Sequence, residues 1–134
     1  MSRLNVTNDE QTITLSIDNM SQPMVHRQAL EVTFQLGKMW GDMSLRGSTE
    51  MTLQVGEIHG AKVSRRELAE GVLALTHATY EVGKMVLEKG WNDPSNQQLL
   101  HFMLEGAESI IQSESLRDVA DDMLKDLYSA METS

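Results

Sequence analysis

The stretch from Ser64 to Lys89, SRRELAEGVLALTHATYEVGKMVLEK, constrains the chain more than any other, because its start, face and stop agree. Ser64 and Glu67 have the spacing of a capping box, in which the hydroxyl accepts from the N–H of Glu67 and the carboxylate reaches back to the N–H of Ser64. Glu67 and Glu70 fall near the positive end of the helix dipole, and Lys84 and Lys89 towards its negative end. Leu68, Val72, Leu75, Thr79, Val82 and Val86 recur in steps of four and three, which puts them on one stripe. Gly90 tolerates the left-handed geometry that ends a helix. The pattern predicts one long amphipathic helix. The same spacing is also a coiled-coil seam, and Gly71, Ala74, Ala78 and Gly83 allow close approach. Leu68, Val72, Leu75, Val82 and Val86 are therefore candidates for an interface as well as for a core.

Two more helices follow. Asp93 before Pro94 is a start signal, since proline at the first helical position gives up an N–H that has no partner there anyway. Leu99, Leu100, Met103, Ala107, Ile110 and Ile111 continue an apolar face to Gln112. Ser113 or Ser115 then caps a last helix whose apolar side is Leu116, Val119, Ala120, Met123, Leu124, Leu127 and Tyr128. Connections this short make neighbouring helices antiparallel.

The first half of the chain reads differently. Residues 1–11 are polar and are expected to be flexible. Thr12–Asp18, TITLSID, alternates as a half-buried strand does. Residues 23–40 carry two patterns. Leu30, Val32, Phe34 and Leu36 alternate as in a strand, while Val25, Ala29, Val32, Leu36, Met39 and Trp40 form a helical stripe. Ser21 as cap, Pro23 in the first turn, Gly41 as stop and the length of the stripe favour the helix. Between Asp42 and Gly60, Met43 and Leu45, then Met51, Leu53 and Val55, alternate around Arg46-Gly47-Ser48, which reads as a hairpin that pairs with Thr12–Asp18. The expected class is α+β in a single domain, residues 1–134. A small antiparallel sheet lies in the N-terminal half, with 12–60 rich in β and 23–40 strand or helix. A three-helix C-terminal unit over 64–131 follows.

With 134 residues the chain can bury a core without covalent staples. It has no Cys, so disulfides and thiolate metal sites are ruled out. MSRLNVTNDEQ has no apolar signal-like core and no run approaches membrane-spanning length, so a cytoplasmic location is expected. A formal net charge of −9 argues against nucleic-acid binding, which needs clustered Lys and Arg to release counterions. The acidity concentrates in Glu105, Glu108, Glu114, Asp118, Asp121, Asp122 and Asp126, read as a solvated helix face. Ten Met residues suit both a core and an adaptable binding surface.

No nucleophile elbow, phosphate-cradling loop or dinucleotide fingerprint is present. One constellation carries ligand chemistry. His77 with Glu81, and His101 with Glu105, are spaced i, i+4, and two antiparallel helices bearing them offer two imidazoles and two carboxylates to Zn, Fe or Mn. The spacing differs from the Glu-x-x-His of di-iron bundles. Arg65 and Arg66 at the helix start are candidates for an anion or ligand, and Trp40 and Trp91 for interface anchors. The leading expectation is a non-enzymatic interaction module without a cofactor: an adaptor, inhibitor or regulator that binds a protein partner as a homo-oligomer. Such small acidic chains are frequent among accessory proteins of phages and mobile elements. The alternatives are a metal-dependent helical enzyme or sensor using His77, Glu81, His101 and Glu105, and a small-ligand-binding oligomer.

Overall fold

The computed structural model describes residues 3–86 and 93–133; Lys89, Gly90 and Trp91 lie outside them, as do the side chains of Lys84 and Val86. The chain runs β1 (Leu4–Asn8), β2 (Thr12–Ile17), β3 (Met20–Val25), α1 (His26–Arg46), β4 (Glu50–Val55), β5 (Ile58–Ser64), α2 (Arg65–Val86), α3 (Pro94–Glu114) and α4 (Arg117–Thr133). This is the α+β arrangement the patterns imply, with an antiparallel sheet first and three helices last.

The capping box that opens α2 is formed in both directions. Ser64 Oγ accepts from the Glu67 N–H and Glu67 Oε1 accepts from the Ser64 N–H, each at 3.0 Å. The Ser64 hydrogen bond, with Arg3 beside it, holds the Glu67 carboxyl below the usual carboxylate range. Leu68, Leu75, Thr79 and Val82 have no exposed surface. Thr79 and Thr76 are tolerated there because each hydroxyl donates to the carbonyl four residues back, Leu75 O at 2.6 Å and Val72 O at 2.9 Å. Asp93 caps α3 as its position before Pro94 implies, accepting from the Ser95 N–H at 3.0 Å. The helix runs on to Glu114, and Ser115 is its left-handed C-cap rather than the start of the next helix.

The N-terminal half departs from expectation in four places. Residues 4–8 are not a flexible leader. They form β1, which pairs with β2 from Leu4↔Ile17 to Asn8↔Ile13, its turn closed by Asp9 Oδ1 accepting from Thr12 N at 2.9 Å. Pro23 belongs to β3, an edge strand where its missing N–H leaves no gap in the ladder. The helical reading of 23–40 prevails, but shifted: α1 begins at His26, passes through Gly37 and Gly41, and ends at Arg46. Its buried row is His26, Ala29, Leu30, Thr33, Leu36, Trp40 and Met43, and Val25 is exposed. The Met43–Val55 hairpin does not form. Arg46-Gly47-Ser48 closes a helix, with Gly47 at φ 69°, the Ser48 N–H donating to Met43 O at 2.9 Å and the Gly47 N–H to Ser44 O at 3.3 Å. That is a Schellman motif, which uses the same left-handed glycine a turn would use. The hairpin is instead β4–β5, around Gly56-Glu57, and β2 pairs with β1 and β3 rather than with it.

One buried cluster joins Ile13, Leu15 and Ile17 of β2 to Leu53, Ile58 and Val63 of the hairpin and to Leu68, Val72 and Leu75 of α2. A smaller one gathers Leu30, Tyr80, Leu100, Met103, Leu104 and Leu127 between the helices. Gly71 has a packing role in the first. A Cβ at this position would fall 2.3 Å from Leu4 Cδ2, so the glycine lets β1 lie against α2. Gly71→Ala is expected to destabilise by about 1 kcal/mol, because overpacking of about 1–3 kcal/mol outweighs the roughly 0.5–1 kcal/mol gained in helix propensity. Urea unfolding measures it; an unchanged or raised midpoint would contradict the close approach.

Candidate functional site

The structure does not bring the two His/Glu pairs together. His77 Nε2 lies 3.7 Å from Glu81 Oε1, both side chains 40% exposed on α2, while His101 and Glu105 face solvent on α3. Among the described residues no three His, Asp or Glu gather closely enough to hold a metal ion.

Both arginines are engaged within the chain. Arg65 lies with its guanidinium carbon 4.7 Å from the centroid of the Trp40 ring and Nη1 2.5 Å from Glu114 Oε1. Arg66 donates to Glu70 Oε1 and to the Glu114 carbonyl oxygen, each at 3.2 Å. The anion beside Arg65 is therefore the carboxylate of Glu114, and the pair of cations closes the C-terminus of α3, where carbonyls lack helical partners. Trp40 itself is 6% exposed, and Leu68, Val72, Leu75 and Val82 are covered by the chain's own elements.

What remains open is a groove between α1 and α3. Phe34 and Phe102 form its walls, with ring centroids 6.3 Å apart at 60°, and Phe102 is half exposed. Lys38 Nζ sits 5.0 Å over the Phe34 ring. Val72, Met103 and Thr33 form the floor, where the Thr33 hydroxyl donates its one proton to Ala29 O at 2.6 Å and keeps only acceptor capacity. Gly37 and Gly106 line the cavity, about 170 Å³, and a Cβ on either would meet only open space. Phe34 stands outside the helical stripe of 23–40, and Phe102 outside the apolar face of α3. An aromatic residue off the buried row on each of two adjacent helices is the signal that could have located the groove. Since Gly106 is helical and unobstructed, Gly106→Ala is expected to raise stability by about 0.5–1 kcal/mol. A fall in the unfolding midpoint would mean the groove is narrower than the structure has it.

Two buried or half-buried titratable groups lie elsewhere. Burial pushes the His26 imidazole below its ordinary pKa, with Arg27 adding to the shift and a hydrogen bond to the Thr79 backbone opposing it. Burial, helped by a hydrogen bond to Glu108, raises the Tyr128 phenol to about 12, which makes it a donor and not a base near neutral pH. No family model, curated protein or solved structure matches the chain significantly. No helix among the described residues is long and apolar enough to cross a membrane.

Proposed function

We propose that the protein is a non-enzymatic interaction module that binds a partner protein, as an adaptor, inhibitor or regulator, and works as a homo-oligomer. The observation that supports this reading is the Phe34/Phe102 groove. Its lining is apolar apart from Thr33 and Lys38, which suits the capture of an apolar side chain and offers no acid–base pair for chemistry. Two aromatic walls over a floor of Val72 and Met103 resemble the pockets in which interface anchors concentrate binding energy.

The test is affinity purification from the native host with wild type, Phe102→Glu and, as control, Val119→Glu on exposed α4. A bound protein is expected with wild type and with Val119→Glu. Phe102→Glu is expected to weaken that binding about 30-fold, the equivalent of about 2 kcal/mol at a central aromatic. Equal recovery of the same proteins by Phe102→Glu would remove the groove from the reading.

A further inference from the structure

We propose that two copies of this chain join through the open edge of β4, pairing antiparallel about Leu53. The proposal rests on the self-association in the reading above and identifies the surface that performs it. Among the described residues β4 is hydrogen-bonded along one side only, to β5. β5 and the turn before it face the rest of the fold: the His59 N–H donates to Met20 Sδ, the Glu57 N–H of the turn donates to Gln22 Oε1, and Arg3 donates to the Lys62 carbonyl. The outer edge of β4 therefore carries a row of backbone donors and acceptors without a ladder partner.

Such edges are normally blunted by Lys, Pro, an inward charge or a bulge. β4, Glu50-Met51-Thr52-Leu53-Gln54-Val55, has none of these along its length. Its one charge is at its first residue, and the irregularity at Leu53/Gln54 puts the extra residue, Gly60, on β5. β1, an edge of the other sheet, instead packs along α2.

A strand is what fits an unpaired strand edge, and a second β4 fits this one. A two-fold axis normal to the sheet keeps inward residues on the inward side. About Leu53 it sets Leu53 opposite Leu53 of the second copy, Met51 opposite Val55, and Thr52 opposite Gln54. Leu53 is buried, Met51 and Val55 are half-buried, and Thr52 and Gln54 are exposed, so apolar meets apolar and polar meets polar. No charge faces a like charge. Val55 of the second copy also arrives beside Met51, at a cavity of about 270 Å³ whose lining mixes the adaptable Met39 and Met43 with Asp42, Arg46 and Glu50. The two-fold axis makes this contact twice.

Light scattering on size-exclusion chromatography of the full chain tests the proposal, across a concentration series at and above 0.15 M salt so that the repulsion between two copies of charge −9 is screened. Wild type is expected at twice 15.0 kDa. Thr52→Lys with Gln54→Lys places lysine opposite lysine and is expected to weaken the dimer at least ten-fold. Thr52→Lys with Gln54→Glu places lysine opposite glutamate and is expected to keep it. The substituted side chains lie on the exposed face, and an unchanged far-ultraviolet circular dichroism spectrum verifies that the fold persists. A dimer indifferent to both variants would overturn the β4 pairing and leave self-association to another face. Equal loss in both would overturn the stated register. A wild type that stays monomeric at the highest concentration would overturn this inference together with the self-association it rests on, leaving the partner-binding groove to its own test.

Discussion

Replacing Arg65 by methionine is expected to lower stability by about 2 kcal/mol, or roughly 8 °C in the unfolding midpoint of a chain this size. One guanidinium holds three elements together. It stacks on Trp40 and donates to Ser44 Oγ at 2.5 Å in α1, pairs with Glu114 at the end of α3, and belongs to the first residue of α2, whose own N–H donates to Thr49 O at 2.9 Å. Arg65 is 27% exposed and Glu114 14%, so water screens part of the pair and the figure is set below the 3–5 kcal/mol of a fully buried one. Without the cation, the Glu114 carboxylate is left at the negative end of the α3 dipole. Arg65→Lys is expected to recover only about half the loss, because an ammonium has neither the planar fork nor the stacking face. Glu114→Gln is expected to cost less than Arg65→Met, since Trp40 and Ser44 still hold the guanidinium. Urea unfolding of both single variants and the double variant checks the pairing. Strictly additive losses would show that Arg65 and Glu114 act independently.

Acid is expected to weaken the fold from near pH 6.5 downward, through His26. This imidazole is 8% exposed at the first residue of α1, where burial and the positive end of the helix both oppose a proton. Its folded-state pKa therefore lies below the ordinary value of 6.5. The unfolded chain takes the proton first, so the stability contributed by neutral His26 is complete above about pH 6.5 and is lost as pH falls through the depressed folded value. The loss grows by about 1.4 kcal/mol for each pKa unit by which the fold depresses the imidazole. Glu67, whose pKa is also depressed, contributes in the same direction, but below the ordinary carboxyl value of 4.5, so the two windows separate. Urea midpoints at pH 7.5, 6.5, 5.5 and 5.0 should fall for wild type and stay nearly level for His26→Asn. Identical slopes in the two proteins would show that His26 is not held neutral by the fold.

The back half of the chain was legible because each signal there is local. Ser64 and Glu67 are three residues apart and satisfy each other's N–H groups without help from the fold. Asp93 before Pro94 is equally self-contained. The front half misled for the opposite reason. A left-handed glycine after alternating apolar residues serves a hairpin or a helix terminus equally well, and Gly47 serves the helix. The choice lies with Ala29, Leu30, Thr33, Leu36, Trp40 and Met43, whose row becomes one face only against α2, α3 and the sheets. Leu4 makes β1 a strand instead of a loose end, and it can do so because Gly71, 67 positions away, leaves room for it.

The candidate sites divide along the same line. The i, i+4 spacing placed His77 beside Glu81, but whether His101 and Glu105 join them depends on how α2 and α3 are rotated about their axes, which spacing within one helix does not encode. The destination of Arg65 was likewise not visible, since Trp40 and Glu114 are distant in sequence. By itself, then, the sequence determined the caps that open α2 and α3, the lack of cysteine chemistry and the acidic surface, all properties of residue type and short-range spacing. The tertiary structure decided which helix faces are covered, that Phe34 and Phe102 stand together as the walls of one groove, and that β4 is left at an edge, because long-range packing sets the rotation of each element and therefore what it shows to water.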